Sequence, residues 1–304
     1  MKFIIATFDH TYYLWQSLVQ INNFMKFGYD VDLEYIISTD DPSPVLQSFM
    51  NNDKIKAKFH IYKDTRETRN YASSLRPHIL EKFFKDYPEY ENEVLFYTDP
   101  DVLFTKKMDF TNLCADKVWY VSDTRSYLDS NYVKSKGVEL FNEMCAICKV
   151  DPEVITANDP NAGGAQYIMK GVNAEFWRKV YLDSEELYVH MQNTSQKYHP
   201  EHPIQAWTSD MWAVFWNAIY FGHEVKISKA MEFSWGSDHI KRWRETNIFH
   251  NAGVVTSNGG THFYKIDYQI SPFNKELKSN DDNCTFNYIN EIKDTELNFA
   301  DILF

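Results

Sequence analysis

Apolar and polar residues follow one another along roughly the first hundred positions in blocks that fit strands and helices in turn. KFIIATF is an apolar run of strand length, and the stretch YYLWQSLVQINNFM places Leu14, Leu18, Ile21 and Met25 at helical spacing. VDLEYIIST and the alternating AKFHIYK predict strands, while PVLQSFMNN and SSLRPHILEKFFKDY predict helices. EVLFYTD is apolar nearly throughout, as expected for a strand covered on both faces. This alternation predicts an α/β fold with a mixed, mainly parallel sheet flanked by helices.

The second half of the chain continues with longer helices. KVWYVSD predicts a strand, AGGAQYIMKG a glycine loop that enters a strand, and VNAEFWRKVYLDSEELYVHM and TSDMWAVFWNAIYFG two helices. No repeat, low-complexity tract or Pro/Gly/Ser linker interrupts residues 1–265, so we expect them to form one domain. Residues 266–304 are more polar, but their last twenty or so are apolar enough to form a helical C-terminal extension that packs on this domain.

Charge and hydrophobicity exclude some classes of protein. The net charge is −12, with 31 basic against 43 acidic residues, so the chain as a whole has no basic footprint for nucleic acid. The sequence contains no run of 18 apolar residues, so no transmembrane helix is predicted. The N-terminal MKFIIATFDH has an apolar run too short for a signal peptide and no small-residue cleavage site. We therefore expect a cytoplasmic protein, in the host cell if it is viral, with no membrane partner.

Two carboxylates follow the apolar strand in the middle of the chain. Asp99 and Asp101 flank a proline in FYTDPDVLF. In an extended segment, positions two apart point the same way, so the carboxylates would converge and would need a cation between them. Oxygen ligands without thiolates suit Mg²⁺ or Mn²⁺. The alternative is an ordinary turn, in which Asp-Pro-Asp is common.

FYTDPDVLF resembles the D-x-D segment of GT-A glycosyltransferases, which bind a nucleotide-sugar through a divalent metal. Five further segments resemble motifs of that family in its order: IIATFDH, SSLRPHIL, NAGGAQYIMKG, SDMWAVFWN and FHNAGV, the last resembling its H-x-x-G. The resemblance covers roughly residues 1–265 and is greatest to the hydroxyproline arabinosyltransferase and peptidyl-serine galactosyltransferase branch. It implies a GT-A, Rossmann-like fold, although we expect no secretory anchor of the kind that branch carries.

The resemblance also implies roles for individual residues. Asp99, Asp101 and His250 would hold Mn²⁺ or Mg²⁺, and Asp101 and Asp210 would be the catalytic residues. The implied donor-binding residues are Thr7, Phe8 and Asp9 for the nucleotide, Arg76 and Lys265 for the diphosphate, and Gly163 and Gly164 for the sugar. Several of these residues have a structural alternative: a helix cap for Asp210, a turn for the two glycines, and a solvated surface position for Arg76 or Lys265.

The resulting hypothesis is an enzyme that transfers a sugar from a nucleoside diphosphate, a UDP-arabinose or UDP-hexose, to an intracellular hydroxyl acceptor. A glycan, a small molecule, a protein and a DNA base all remain open as the acceptor. The Asn-, Lys-, Tyr- and Phe-rich composition is similar to that of tailed-bacteriophage proteins, which would favour 5-hydroxymethylcytosine in phage DNA. Arg242 and Arg244 of HIKRWRETN, together with Trp207, are the candidate acceptor contacts.

Two alternative functions use the same residues. The first is a non-catalytic nucleotide-sugar or carbohydrate-binding protein that keeps the fold without turnover. The second is a metal-dependent phosphohydrolase, which the sequence disfavours because neither a nucleophile nor a second carboxylate cluster accompanies Asp99 and Asp101.

Overall fold

The computed structural model describes residues 1–302 and 304, which form short strands and mostly longer helices. The strands are β1 (Lys2–Phe8), β2 (Leu33–Ser38), β3 (Lys58–Tyr62), β4 (Val94–Tyr97), β5 (Val102–Phe104), β6 (Trp119–Asp123), β7 (Gly163–Lys170), β8 (Val225–Ile227), β9 (Phe233–Trp235) and β10 (Ile248–His250). The α-helices are α1 (Thr11–Phe27), α2 (Pro44–Met50), α3 (Leu75–Asp86), α4 (Thr111–Cys114), α5 (Arg125–Leu128), α6 (Ser130–Lys136), α7 (Val138–Cys148), α8 (Pro152–Ala157), α9 (Ala174–Thr194), α10 (Ser209–Tyr220), α11 (Lys241–Glu245) and α12 (Cys284–Asn298).

The chain divides into two compact units, each built from separate stretches of sequence. Unit 1 consists of Met1, Tyr62–Tyr97 and Thr111–Lys229. Unit 2 consists of Lys2–Ile61, Thr98–Phe110 and Ala230–Phe304. The C-terminal residues from 266 onward therefore belong to the same unit as the first strand.

The strands of unit 1 follow the order β4-β7-β6-β8. β7 is antiparallel to both β4 and β6, and β8 is parallel to β6. Three of these four strands therefore run in one direction, and only β7 opposes them. The helices α3, α9 and α10 pack on one another and supply the apolar cover that such strands need. The long α9 begins at Asn173, whose side chain accepts a hydrogen bond from the backbone N–H of Phe176, as in a regular N-cap.

Unit 2 has two groups of strands. β3, β2 and β1 lie side by side in that order, with β1 parallel to β2. β5, β10 and β9 form a separate three-stranded sheet, in which β10 is antiparallel to β5 and parallel to β9. The predicted fold class, a mainly parallel α/β arrangement flanked by helices and followed by a C-terminal helix, is confirmed. The antiparallel β7 and the small second sheet were not apparent from the hydrophobic pattern.

The C-terminal helix α12 packs against α1 in the core of unit 2. Trp15 of α1 and Tyr288 and Ile292 of α12 are buried together with Phe249 of β10. The ring of Tyr288 contacts that of Phe249, with a centroid separation of 5.5 Å. This cluster connects the start of the chain, the small sheet and the end of the chain. Among the described residues, no helix has both the length and the apolarity needed to span a bilayer.

We predict that Ile292→Ala destabilises the protein by about 2–5 kcal/mol, because it removes a fully buried aliphatic side chain and leaves a cavity. Leu297→Ala is the matched control, since that side chain lies on the same helix but is 80% exposed. Urea unfolding should show a change of at most about 0.5 kcal/mol for the control. Equal free energies of unfolding for the two variants would contradict the packing described for α12.

Candidate functional site

Three candidate metal ligands lie together in unit 2. One ligand atom from each of Asp99, Asp101 and His250 falls within 4.8 Å of the others. Nε2 of His250 is 3.3 Å from Oδ1 of Asp101 and 3.9 Å from Oδ2 of Asp99. Asp101 is 4% exposed and His250 is 8% exposed, so two of the three are shielded from water. The structure thus brings together residues that are about 150 positions apart in the sequence.

The backbone around the two aspartates is a turn, so the expectation of an extended segment is wrong. β4 ends at Tyr97 and β5 begins at Val102, with a turn at Pro100 and Asp101. The backbone N–H of Val102 approaches the carbonyl oxygen of Asp99 at 3.4 Å. A proline at this point is compatible with a tight reversal because its φ is fixed. The carboxylates therefore meet His250 through the turn rather than through the alternation of a strand.

The small sheet fixes the distance between the aspartates and the histidine. β10 pairs with β5 so that His250 lies opposite Val102. The N–H of Asn251 also donates to the carbonyl oxygen of Asp101 at 3.0 Å. Hydrogen bonds on both sides of the ligands thus hold their backbones in register before any ion binds.

Helix α1 holds the turn from the other side through two buried amides. The side-chain Nε2 of Gln20 donates to the carbonyl oxygens of Asp99 and Val102, at 2.8 and 2.9 Å. The side chain of Asn23 bonds both the N–H and the carbonyl oxygen of Phe104, at 2.9 and 3.0 Å. Buried backbone groups need such partners, and here the partners also immobilise the segment that carries the carboxylates.

Lys265 provides the positive charge closest to Asp101, with which it forms an ion pair. Burial alone raises the pKa of Asp101, but Lys265 and His250 outweigh that effect and hold the pKa well below its usual range. Burial lowers the pKa of Lys265, yet Asp101 and Tyr12 outweigh it and leave the pKa raised. Burial also raises the pKa of Tyr12 to about 12, so this phenol stays neutral near neutral pH.

The imidazole of His250 lies against an aromatic neighbour on the next strand. Trp235 of β9 is its cross-strand partner, and the two ring planes differ by only 14° at a centroid separation of 6.0 Å. Gly253 packs behind this pair with a φ of 82°. A Cβ at Gly253 would lie 3.1 Å from Oγ of Ser237 and 3.4 Å from the ring of Trp235, so both conformation and space favour glycine.

The donor set suits a hard divalent cation. Two carboxylates and one imidazole, without a thiolate, are compatible with Mn²⁺ or Mg²⁺. Asp101 is already ionised and buried in the folded protein. Binding of a metal ion therefore requires little further desolvation of this carboxylate. Asp99, Asp101 and His250 would hold the ion, and Lys265 lies next to them on the Asp101 side.

A second polar cluster lies in unit 1 and includes Arg76 and Asp210. Arg76, in the first turn of α3, forms an ion pair with Asp210, in the first turn of α10. The hydroxyl of Tyr71 lies 2.6 Å from Oδ1 of Asp210 and 2.6 Å from the carbonyl oxygen of Trp207. The N-cap position of α10 is Thr208, so Asp210 does not cap the helix and its carboxylate is directed to side chains instead.

Glu185 of α9 positions the loop before Arg76. Its carboxylate accepts hydrogen bonds from the N–H groups of Asn70 and Tyr71, at 3.0 and 3.1 Å, and from the hydroxyl of Ser74 at 2.5 Å. These backbone N–H groups have no partner within a helix or strand, and the carboxylate of Glu185 accepts a hydrogen bond from both of them. The loop that carries Tyr71 is therefore rigid where it meets Asp210.

The two glycines predicted near the donor sugar lie in unit 1, at the start of β7 rather than in a preceding loop. Gly163 and Gly164 pair with Asp123 and Ser122 of β6, next to a bulge in the register. A Cβ at Gly163 would collide with the neighbouring strand, so close backbone packing accounts for this glycine. Ala165 follows with a φ of 64°, an unusual conformation for a residue with a side chain.

The residues predicted to bind the nucleotide lie at the end of β1. Thr7 is buried, and the ring of Phe8 stacks on that of Tyr13 at a centroid separation of 5.0 Å. Both oxygens of Asp9 are engaged by Ser43, one with its N–H at 2.7 Å and the other with its hydroxyl at 2.6 Å. Asp9 therefore fixes the start of α2, where Ser43 is the N-cap.

The candidate acceptor contacts are dispersed. Arg242 of α11 is in unit 2 and pairs with Glu232 at 2.6 Å and Glu245 at 3.2 Å, while Arg244 on the same helix is exposed. Trp207 is in unit 1 and is 63% exposed. The three residues therefore belong to two different units.

Several residues that shape the two clusters were not recognised in the sequence. Gln20 was visible only as a polar position on an otherwise apolar helix, and Trp235 as one aromatic among many. Tyr71 and Glu185 gave no signal at all, because their roles depend on which loop faces which helix.

Comparison with known proteins gives limited guidance. No protein-family model and no curated protein matches the chain. One similar solved structure is the crystal structure of an active-site mutant of LgtC, with 12% sequence identity and a TM-score of 0.44 over 84% of this chain and 88% of that chain. A likeness this weak does not identify a family, so the function proposed below depends on the site itself.

We predict that Trp235→Ala raises the dissociation constant for Mn²⁺ about tenfold, because His250 loses the ring that orients it. Trp235→Phe should keep most of the affinity, since it restores an aromatic face. Trp243→Ala is the matched control: Trp243 packs on Phe249, which points to the other face of the same strand. Electron paramagnetic resonance titration of free Mn²⁺ measures the three constants, and an unchanged constant for Trp235→Ala would exclude this orienting role.

Proposed function

We propose that this protein is a metal-dependent glycosyltransferase of GT-A type that moves a sugar from a UDP-sugar to a hydroxyl acceptor. The observation that carries the proposal is the convergence of Asp99, Asp101 and His250 beside the half-buried ammonium of Lys265. A divalent ion and a protein ammonium group can together neutralise the negative charge of a nucleoside diphosphate. This cluster offers three ligands for the ion, and Lys265 supplies the ammonium group. A donor with arabinose or a hexose as the transferred sugar fits the proposal.

The reaction breaks the bond between the anomeric carbon and the diphosphate oxygen and forms a bond from that carbon to the acceptor oxygen. Asp99, Asp101 and His250 would hold a divalent ion, which would supply Lewis-acid stabilisation of the diphosphate. Lys265 donates hydrogen bonds to the same leaving group, and the turn held by Gln20 keeps the carboxylates aligned.

Asp210 and its neighbours are proposed to act on sugar hydroxyls. Its two carboxylate oxygens are oriented by Arg76 and Tyr71, and each oxygen retains a further lone pair. We propose that Asp210 accepts the acceptor hydroxyl proton as the new bond forms and passes it to solvent. Thr7, Phe8 and Asp9 are proposed for the nucleotide, Arg76 for the diphosphate, and Gly163 and Gly164 for the donor sugar.

The proposed domain of residues 1–265 carries all these groups, and the extension from 266 to 304 supports them through α12. Tyr288 of α12 lies among Trp15, Phe249 and Phe263; Phe249 immediately precedes His250, and Phe263 is two positions before Lys265. We propose that this extension stabilises the metal site from within the core.

A DNA acceptor, 5-hydroxymethylcytosine in a phage-infected cell, is the finer hypothesis that the composition suggested. Arg242 would then contact phosphate, but its guanidinium already pairs with two carboxylates, Glu232 and Glu245. A phosphate would have to displace both, so the structure gives this hypothesis no support beyond the sequence.

We predict that Asp101→Asn abolishes metal-dependent binding of the UDP-sugar and lowers UDP release by at least about a hundredfold. Because this change also leaves Lys265 unpaired, Asp99→Asn provides a second variant whose side chain is more exposed. Asp267→Asn, an exposed carboxylate two residues after Lys265, is the control. Thermal shift with UDP-sugars and Mn²⁺, repeated with EDTA, measures binding, and a coupled assay measures UDP.

The same assay separates the enzyme from a binding protein with this fold. Metal-dependent donor binding without UDP release, with or without acceptors, would favour the binding protein. Equal donor binding in Mn²⁺ and in EDTA would refute the metal site itself.

A further inference from the structure

Trp207 differs from the other tryptophans that the structure describes. Its side chain is 63% exposed, whereas the remaining seven are buried or half-buried. Leaving an indole in water forgoes the stabilisation that its burial would give. An exposed indole offers a flat apolar face on which a ligand can stack.

The backbone that carries Trp207 is fixed. It lies in a short 3₁₀ turn, Ala206–Thr208, and its carbonyl oxygen accepts a hydrogen bond from the buried Tyr71 hydroxyl at 2.6 Å. The hydroxyls of Thr208 and Ser209 donate to the carbonyl oxygens of Gln205 and Ala206, at 2.7 and 2.5 Å. Little backbone entropy remains to be lost when a ligand stacks on this ring.

Trp207 is also linked to the carboxylate of Asp210. The two residues are three positions apart, and the hydroxyl of Tyr71 contacts both of them. The ring of Tyr188 stacks on that of Tyr71 at 4.8 Å and holds it in place. The backbone of Trp207 and the carboxylate of Asp210 are thus held by the same hydroxyl group.

The arginines of this cluster are already compensated by carboxylates. Arg76 pairs with Asp210, and Arg66 pairs with Asp64 at 3.0 Å while also donating to the carbonyl oxygen of Tyr71. Arg66 is engaged in this way, and Arg76 is assigned above to the donor diphosphate, so neither of these two arginines is left for an acceptor phosphate. The features fit a neutral ligand with an apolar face and hydroxyl groups at its edge.

We infer that Trp207 is the stacking platform for a saccharide acceptor, whose C–H face packs on the indole and whose hydroxyl groups bond to Asp210. The inference rests on the proposed function and names the class of its acceptor. It also separates the acceptor from DNA, for which the charges of this cluster are unsuitable.

The test combines binding with kinetics in the full-length protein. The probes are methyl β-D-glucopyranoside, lactose and maltose, each compared with a duplex that contains 5-hydroxymethylcytosine. The variants are Trp207→Ala and Trp207→Phe, with Tyr220→Ala as the matched control, because Tyr220 is a 48% exposed aromatic at the other end of α10. Tryptophan emission reports stacking, and UDP release reports transfer.

We expect at least one saccharide to shift the emission of the native protein to the blue and to accelerate UDP release. Trp207→Ala should lose the shift and raise the acceptor KM about tenfold or more with a smaller change in kcat, Trp207→Phe should recover part of the affinity, and Tyr220→Ala should match the native protein. Acceleration by the duplex alone, no response to any saccharide, or a Trp207→Ala variant equal to the native protein would each overturn the inference. If no UDP-sugar yields UDP under any condition, the proposed function fails, while the emission titration still decides whether Trp207 binds saccharide.

Discussion

The charge of Asp101 is the constraint on which unit 2 depends. An ionised carboxylate that water barely reaches is costly unless a cation and hydrogen-bond donors meet it. Lys265 and His250 provide that compensation, although they come from segments far along the chain. Removing either partner would leave a buried charge with too few neighbours, so the fold and the candidate metal site are stabilised by the same contacts.

The surrounding structure can be understood as the support for that arrangement. Gln20 and Asn23 bind the turn and the strand after it, the small sheet sets the distance to His250, and α12 closes the core behind them. In unit 1 the same principle appears around Asp210, where Glu185 fixes the loop that presents Tyr71. In both units, the candidate carboxylates are oriented by hydrogen-bonding groups from other segments of the chain.

The helices, the strands and the types of candidate ligand could be predicted from the sequence more accurately than the backbone geometry of the candidate site. Asp99, Asp101 and His250 were predicted as metal ligands from their chemistry and from the order of motifs in a known family, and the structure brings these three side chains together. The backbone of the two aspartates was predicted as extended, since the apolar residues on each side suggested a continuous strand, and the competing turn chemistry of Asp-Pro-Asp prevailed. The hydrogen-bond roles of Gln20 and Glu185 could not be predicted, because a polar residue on a helix shows its partner only once tertiary pairing is known.

The assembly of unit 2 from both ends of the chain has a consequence for biosynthesis. Strand β1 and helix α12 belong to the same unit, so a ribosome that adds about 5–20 residues each second must synthesise α12, more than 270 positions after β1, before this unit can close. Until Lys265 emerges, the carboxylate of Asp101 has to stay hydrated. The buried ion pair of Asp101 with Lys265 can therefore form only after both segments have been synthesised and unit 2 has folded around them.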